Sequence, residues 1–162
     1  MKNSRRSDRD LAKAIGTSQP TVTRLKNKLE KEGIIREYTM IPDFRKLGFE
    51  IMAVTFVKFS QPLSPEIIDK VTRAGLELEK KFPTPTIIIL RGLGLGYDGI
   101  VISFHENYAS FLKLLDLTKQ LPLVDIDHLD SFLVSLPEEY QYRHLTLSNM
   151  ANYLLKTKEK KE

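Results

Sequence analysis

Gln19, Thr21, Thr23, Arg24, Asn27 and Lys28 lie in one short stretch and together offer the groups that read nucleic acid. Arginine pairs well with guanine, glutamine and asparagine with adenine, and a threonine methyl packs on thymine. At 100° per residue, a helix here places Pro20, Thr23, Arg24, Asn27 and Lys31 on one face, with Gln19 and Thr21 projecting near its start. Val22, Leu25 and Leu29 form the apolar stripe opposite. Ser18 stands where an N-cap belongs, and Pro20 sits in the first turn, where its missing N–H costs nothing. A helix start of this kind also favours a phosphate.

The elements that must hold this face are legible on either side. Leu11, Ala12 and Ile15 fall on one side of a preceding helix, behind Ser7 and Asp8, either of which can cap it. Gly16 ends that helix, and the second runs to about Glu32 with Gly33 as its stop. A helix, a glycine turn and a capped second helix predict a helix-turn-helix; an ordinary helical hairpin with a solvated polar face is the competing reading. Arg5 and Arg6 before the pair, and Arg36 after it, are placed to meet phosphates. Ile34 to Ile41 reads as a strand broken by Pro42-Asp43, the wing or linker of a winged helix.

Charge follows the same division. Residues 1–48 hold 12 Lys/Arg against 6 Asp/Glu, residues 49–144 hold 9 against 13, and the last 18 hold 4 against 2. The basic excess therefore sits on the segment with the reading face, as counterion-release binding requires. The chain has no cysteine, which excludes disulfides and thiolate metal sites. No apolar run approaches the ~18 residues of a membrane span, and no signal peptide is recognisable, so a cytoplasmic protein without membrane contact is expected.

Residues 44–48 mark a linker. Beyond it, strands are expected at Phe49–Phe59, Thr86–Arg91, Gly99–His105 and Val124–Leu136, and helices at about Pro65–Phe82 and Asn107–Leu121. This βαββαβ order is that of a ferredoxin-like sandwich, giving an α+β chain: residues 1–43 a winged helix-turn-helix, 49–137 the sandwich, 138–162 a further helix and charged tail. Phe49, Ile51, Ala53, Val57 and Phe59 are apolar on one face of the first strand, and Met52, Val54 and Phe56 on the other. Helices cover only one face of such a sheet, so the second needs a cover. A second copy of the chain is expected there, with the C-terminal segment as the alternative.

Residues 3–12 (Asn-Ser-Arg-Arg-Ser-Asp-Arg-Asp-Leu-Ala), 16–24 (Gly-Thr-Ser-Gln-Pro-Thr-Val-Thr-Arg) and 29–35 (Leu-Glu-Lys-Glu-Gly-Ile-Ile) strongly resemble the winged helix of the leucine-responsive, Lrp/AsnC family of regulators. The likeness continues through Tyr38 to Gly48. It implies a transcription regulator that binds double-stranded DNA through paired recognition helices. It also implies a homodimer or higher homo-oligomer built through C-terminal sheets, with a small effector, commonly an amino acid, near the turn joining the second and third strands. Here that turn offers Gly94, Gly96, Tyr97 and Asp98: glycine amides for a carboxylate, an aspartate for an ammonium. A hairpin whose glycines serve backbone geometry alone is the other reading.

Family members carry a helix ahead of the Asn-Ser-Arg stretch, and this chain starts at Met1. The first helix is therefore expected to be missing, leaving Leu11, Ile15, Val22 and Leu25 partly uncovered. The segment Leu145–Leu155 is a candidate substitute, with Leu147, Met150, Ala151, Leu154 and Leu155 on one helical face and Ser148 as cap.

Other chemistry is sparse. His105, His128 and His144 lack metal-ligand spacing and read as core or edge residues, and no cofactor is called for. Siroheme decarboxylases resemble the same family, however, and use histidine and arginine. With Arg91 and Arg143 present, such an enzyme is the runner-up to a non-enzymatic regulator. A sensing subunit without DNA binding is the third reading.

Overall fold

The computed structural model describes residues 5–137, 146–151 and 153. It forms two compact units, residues 1–42 with 141–162, and residues 43–140.

In the first unit, α1 (Asp8–Ile15) begins at Ser7, whose Oγ accepts the Asp10 amide at 3.1 Å. It ends at Gly16, which takes φ 69° and donates its N–H to Ala12 O, a left-handed cap that glycine adopts without strain. α2 (Gln19–Lys31) starts at Ser18 and closes over Gly33 at φ 68°. Ala12 and Val22 are the buried contacts between the two helices. Ile15 and Leu25, placed by their spacing on the inward stripes, are instead 62% and 48% exposed.

The strand expected at Ile34–Ile41 does not form. Among the described residues no strand pairs with them, and their start is tied back to α2, the Ile34 and Ile35 amides donating to Leu29 O at 2.9 and 3.1 Å. A side chain adds a further anchor: Tyr38 Oη donates to Glu30 Oε1 at 2.7 Å, with Lys26 Nζ 5.2 Å from the ring centre. Near the C-terminus, the helical turn begins at Ser148 rather than being capped by it, and Thr146 Oγ1 accepts the Ser148 amide at 3.2 Å. Ala151 is buried, while Leu147 and Met150 are exposed. Leu145, Leu154 and Leu155 lie outside the described residues.

The second unit opens with a 3-10 turn (Phe44–Leu47), whose Phe44 ring stacks on Phe104 at 3.7 Å. There follow β1 (Ile51–Phe59), α3 (Pro65–Lys81), β2 (Thr86–Gly94), β3 (Tyr97–His105), α4 (Tyr108–Thr118) and β4 (Val124–Ser135). The strands form one antiparallel sheet in the order β2-β3-β1-β4, as the βαββαβ pattern requires. Ala53, Thr55 and Val57 of β1 are buried, together with Phe111 and Leu114 of α4. The opposite face pairs Val54 with Ile102 and Phe132, and Phe56 with Ile100 and Asp130. That face is open: Phe132 is 65% exposed.

Candidate nucleic-acid interface

Two contacts orient α2, the helix expected to carry the reading face. Its buried Val22 turns one side towards α1, and Lys26 Nζ meets Asp8 Oδ1 at 2.8 Å on the flank. What remains outward is a shallow depression lined by Gln19, Pro20, Thr23, Arg24 and Asn27. Arg24 and the side-chain amides of Gln19 and Asn27 have no hydrogen-bond or ion-pair partner among the described residues, so their donors and acceptors face solvent.

Other members of the expected set have internal work. Ser18 Oγ takes the Thr21 amide at 3.4 Å and meets the Thr21 hydroxyl at 2.9 Å, so both residues close the helix start. The Thr23 hydroxyl lies 2.7 Å from Asp8 Oδ2 and 3.2 Å from Gln19 O, which leaves its methyl group as the outward element. Lys28 makes an exposed i,i+4 pair with Glu32 at 3.7 Å. Arg5, Arg6 and Arg36 are exposed, outside both helices.

Asp8 is the residue that spacing alone missed. It receives both Lys26 and Thr23 across the helix pair; the Lys26 contact, then the Thr23 hydroxyl, holds its carboxyl below the ordinary value of 3.8. The same pairing raises Lys26. Its place in the first turn of α1, opposite a lysine on α2, is a signal only once the packing of the two helices is known.

The four residues of the β2–β3 turn do not converge within one chain. Leu95 (φ 55°) and Gly96 (φ 85°) form the two-residue bend, and Gly94 pairs with Tyr97 at its base. Tyr97 points to the open face, where its hydroxyl bonds Asp130 and its ring lies 5.3 Å from Phe56. Asp98 points to the helix-covered face and accepts the Phe59 amide at 2.9 Å. Of the histidines, His105 is buried with Nε2 2.8 Å from Ser103 Oγ, and His128 lies exposed beside Asp125. His144 and Arg143 lie outside the described residues.

Residues 1–36 match a family model described as winged helix-turn-helix DNA-binding. The transcriptional regulator AzlB of Bacillus subtilis is 32% identical over 119 residues, covering 73% of this chain and 71% of that protein. An uncharacterised HTH-type regulator of Pyrococcus horikoshii, PH0061, is 42% identical over 60 residues, which span 37% of this chain and only 40% of that relative. Among solved structures, an AsnC family regulator from Agrobacterium tumefaciens superposes with TM-score 0.65 at 21% identity, over 91% of this chain and 90% of that one. NMB0573 from Neisseria meningitidis, in complex with L-Met, gives TM-score 0.63 at 17% identity over the same shares. Among the described residues, no helix is long and apolar enough to cross a membrane. The chain belongs to the Lrp/AsnC family of transcription regulators.

Proposed function

We propose that this chain is a sequence-specific, non-enzymatic transcription regulator of the cytoplasm, reading double-stranded DNA with α2. The observation that carries the reading is the outward convergence of Gln19, Arg24 and Asn27 without internal partners. Arg24 is the principal base reader, the Thr23 methyl an apolar contact, and Ser18, Pro20 and Thr21 the helix start that receives a phosphate. Lys28, Arg5, Arg6 and Arg36 supply backbone contacts. Residues 1–43 act as the DNA-binding part, 44–48 as linker and 49–137 as the sensing and pairing part, with 138–162 as an accessory helix and tail.

Two copies join through the open sheet face, whose Val54, Phe56, Ile102 and Phe132 would otherwise stay wet. An amino-acid effector near Gly94, Gly96, Tyr97 and Asp98 is supported by the neighbour crystallised with L-Met. Since Tyr97 and Asp98 face opposite sides of one sheet, such a site draws on a second copy. The tetrapyrrole enzyme is not favoured, because the relatives are regulators and His105 is closed within the unit.

Selection of bound sequences from random duplex DNA tests the reading. Enrichment of a two-fold motif is expected, with its base preference relaxed in Arg24→Ala. In Arg36→Ala, by contrast, the slope of log affinity against log salt falls by about one, with the motif unchanged. Absence of any enrichment at low salt overturns the proposal.

A further inference from the structure

α3 runs 17 residues without one fully buried side chain, although Ile68, Val71 and Leu78 lie on its sheet-facing side. The helix stands off the sheet and leaves a cavity of about 400 Å³ between them. That volume is within the range of small-molecule sites, whose walls are mostly apolar with a few placed polar groups. Here the walls are Val57 of β1, Ile68 and Val71 of α3, and Leu114 of α4.

Two glycines shape the space. Gly75, in the middle of α3, borders the cavity, and a Cβ there would meet nothing within 4 Å. A helix-interior glycine costs about 1 kcal/mol relative to alanine, so the position gives up helix stability and leaves room. Gly99 of β3 brings the strands close, since a Cβ there would lie 2.8 Å from Leu90 O. Opposite Gly99 in the ladder is Arg91, on the same face as Val57.

Arg91 is the one cation among the lining residues, and it has no ion-pair partner among the described residues. Two carboxylates also border the space. Asp98 is engaged through Oδ2 by the Phe59 amide, and Glu79 is exposed on the flank of α3. Of the four threonines of the wall, Thr84 bonds Thr86 and Thr118 bonds Leu114 O, while Thr72 adds a hydroxyl from α3. The site thus combines mostly apolar walls with one exposed guanidinium at the rim, free of any ion pair among the described residues.

We propose that this cavity binds a medium-chain aliphatic carboxylate, its tail between α3 and the sheet and its head group on Arg91. The site lies within one sensing unit and does not depend on the DNA reading. A bidentate pairing between guanidinium and carboxylate fixes the orientation of the ligand, and the chain displaces water from the apolar walls.

Calorimetric titration of the full chain with hexanoate, octanoate and decanoate, below micelle formation and without DNA, tests it. Affinity is expected to rise about fourfold per added methylene as each is buried. Arg91→Gln should weaken decanoate by about tenfold and leave decanol unchanged. Gly75→Leu, which fills the chamber from a position with open space, should abolish binding of both while circular dichroism shows an unchanged fold. Lack of saturable decanoate binding, retention of it in Gly75→Leu, or equal affinity for decanoate and decanol in the unsubstituted chain overturns the proposal.

Discussion

Lys26 Nζ stands 2.8 Å from Asp8 Oδ1, so α2, the helix proposed to read DNA, is tied to α1 by a hydrogen-bonded ion pair. Thr23 reaches the second oxygen of the same carboxylate. One acidic side chain therefore holds two positions of α2 on the flank beside the buried Val22. The Asp8–Lys26 contact is charge-assisted, the stronger class of hydrogen bond.

The pairing makes the winged-helix unit sensitive to acid. The Asp8 carboxyl titrates below its ordinary 3.8 in the folded chain because of Lys26 first and Thr23 second. Between the folded and unfolded values the unfolded chain binds more protons, so the stabilisation is complete above 3.8 and is lost as pH falls through the folded value. Lys26 is raised above 10.5, so its share is complete below that value and is lost as pH rises through the folded one. Chemical denaturation followed by helix dichroism should show the acid loss in the unsubstituted chain and a flatter profile in Asp8→Asn. Equal acid sensitivity in the two would count against the contact.

His105 predicts a second pH dependence, in the other unit. It is 1% exposed, its Nδ1 has no hydrogen-bond partner of good geometry among the described residues, and burial lowers its value below 6.5, offset in part by the nearby backbone of Ser110. The unfolded chain therefore binds the extra proton first. Stability should be full above 6.5 and decline as pH falls towards the folded value. Urea midpoints measured at about pH 8 and about pH 5.5 should differ in the unsubstituted chain, and converge in His105→Leu. His128, exposed beside Asp125, is unchanged in that variant and so cannot produce the difference.

How far the sequence foretold these features depends on what each needs. The α1–α2 pair was legible because caps and glycine stops act locally: Ser7, Gly16, Ser18 and Gly33 each do at their own position what their chemistry suggests. The strand order was legible because alternation and length separate strands from helices there. Ile34–Ile41 misled, since the same β-branched and aromatic residues suit a segment tied to α2 by Tyr38 and by the Ile34 and Ile35 amides, and periodicity does not reveal a missing pairing partner. Thr23 lay on the expected face, yet its hydroxyl belongs to Asp8, a contact between residues 15 apart. The cavity under α3 was invisible for a different reason: a half-buried stripe reads the same whether it touches the sheet or stands away from it.

The β2–β3 bend holds a correctable strain. Leu95 sits at φ 55°, in the left-handed region that costs a side-chain-bearing residue about 1–2 kcal/mol, and Gly96 follows at φ 85°. Two positive φ values in a two-residue loop are the pattern that Asn-Gly satisfies best. Leu95 is also 87% exposed, so its removal sacrifices little packing. Leu95→Asn is expected to raise stability by up to about 1 kcal/mol, read as a higher denaturation midpoint at unchanged slope. A lower midpoint would show that the exposed leucine is held by a contact outside the single chain.

Phe132 tests what covers the open sheet face. Its ring lies opposite Val54 in the ladder, and Val54 in turn opposes Ile102, so an apolar row crosses three strands with helices only on the other side. A dimer built on this row buries Phe132 near its middle, and a carboxylate placed there would lose its hydration without gaining a partner. Phe132→Asp should therefore sediment as a monomer at concentrations where the unsubstituted chain is dimeric, with the sheet's own dichroism retained because the residue is exposed within one chain. Phe132→Leu keeps the face apolar and should remain dimeric. If Phe132→Asp stays dimeric, the pairing surface is another one; the exposed β2 edge, with Ile87 and Ile89, is then the next place to introduce a charge.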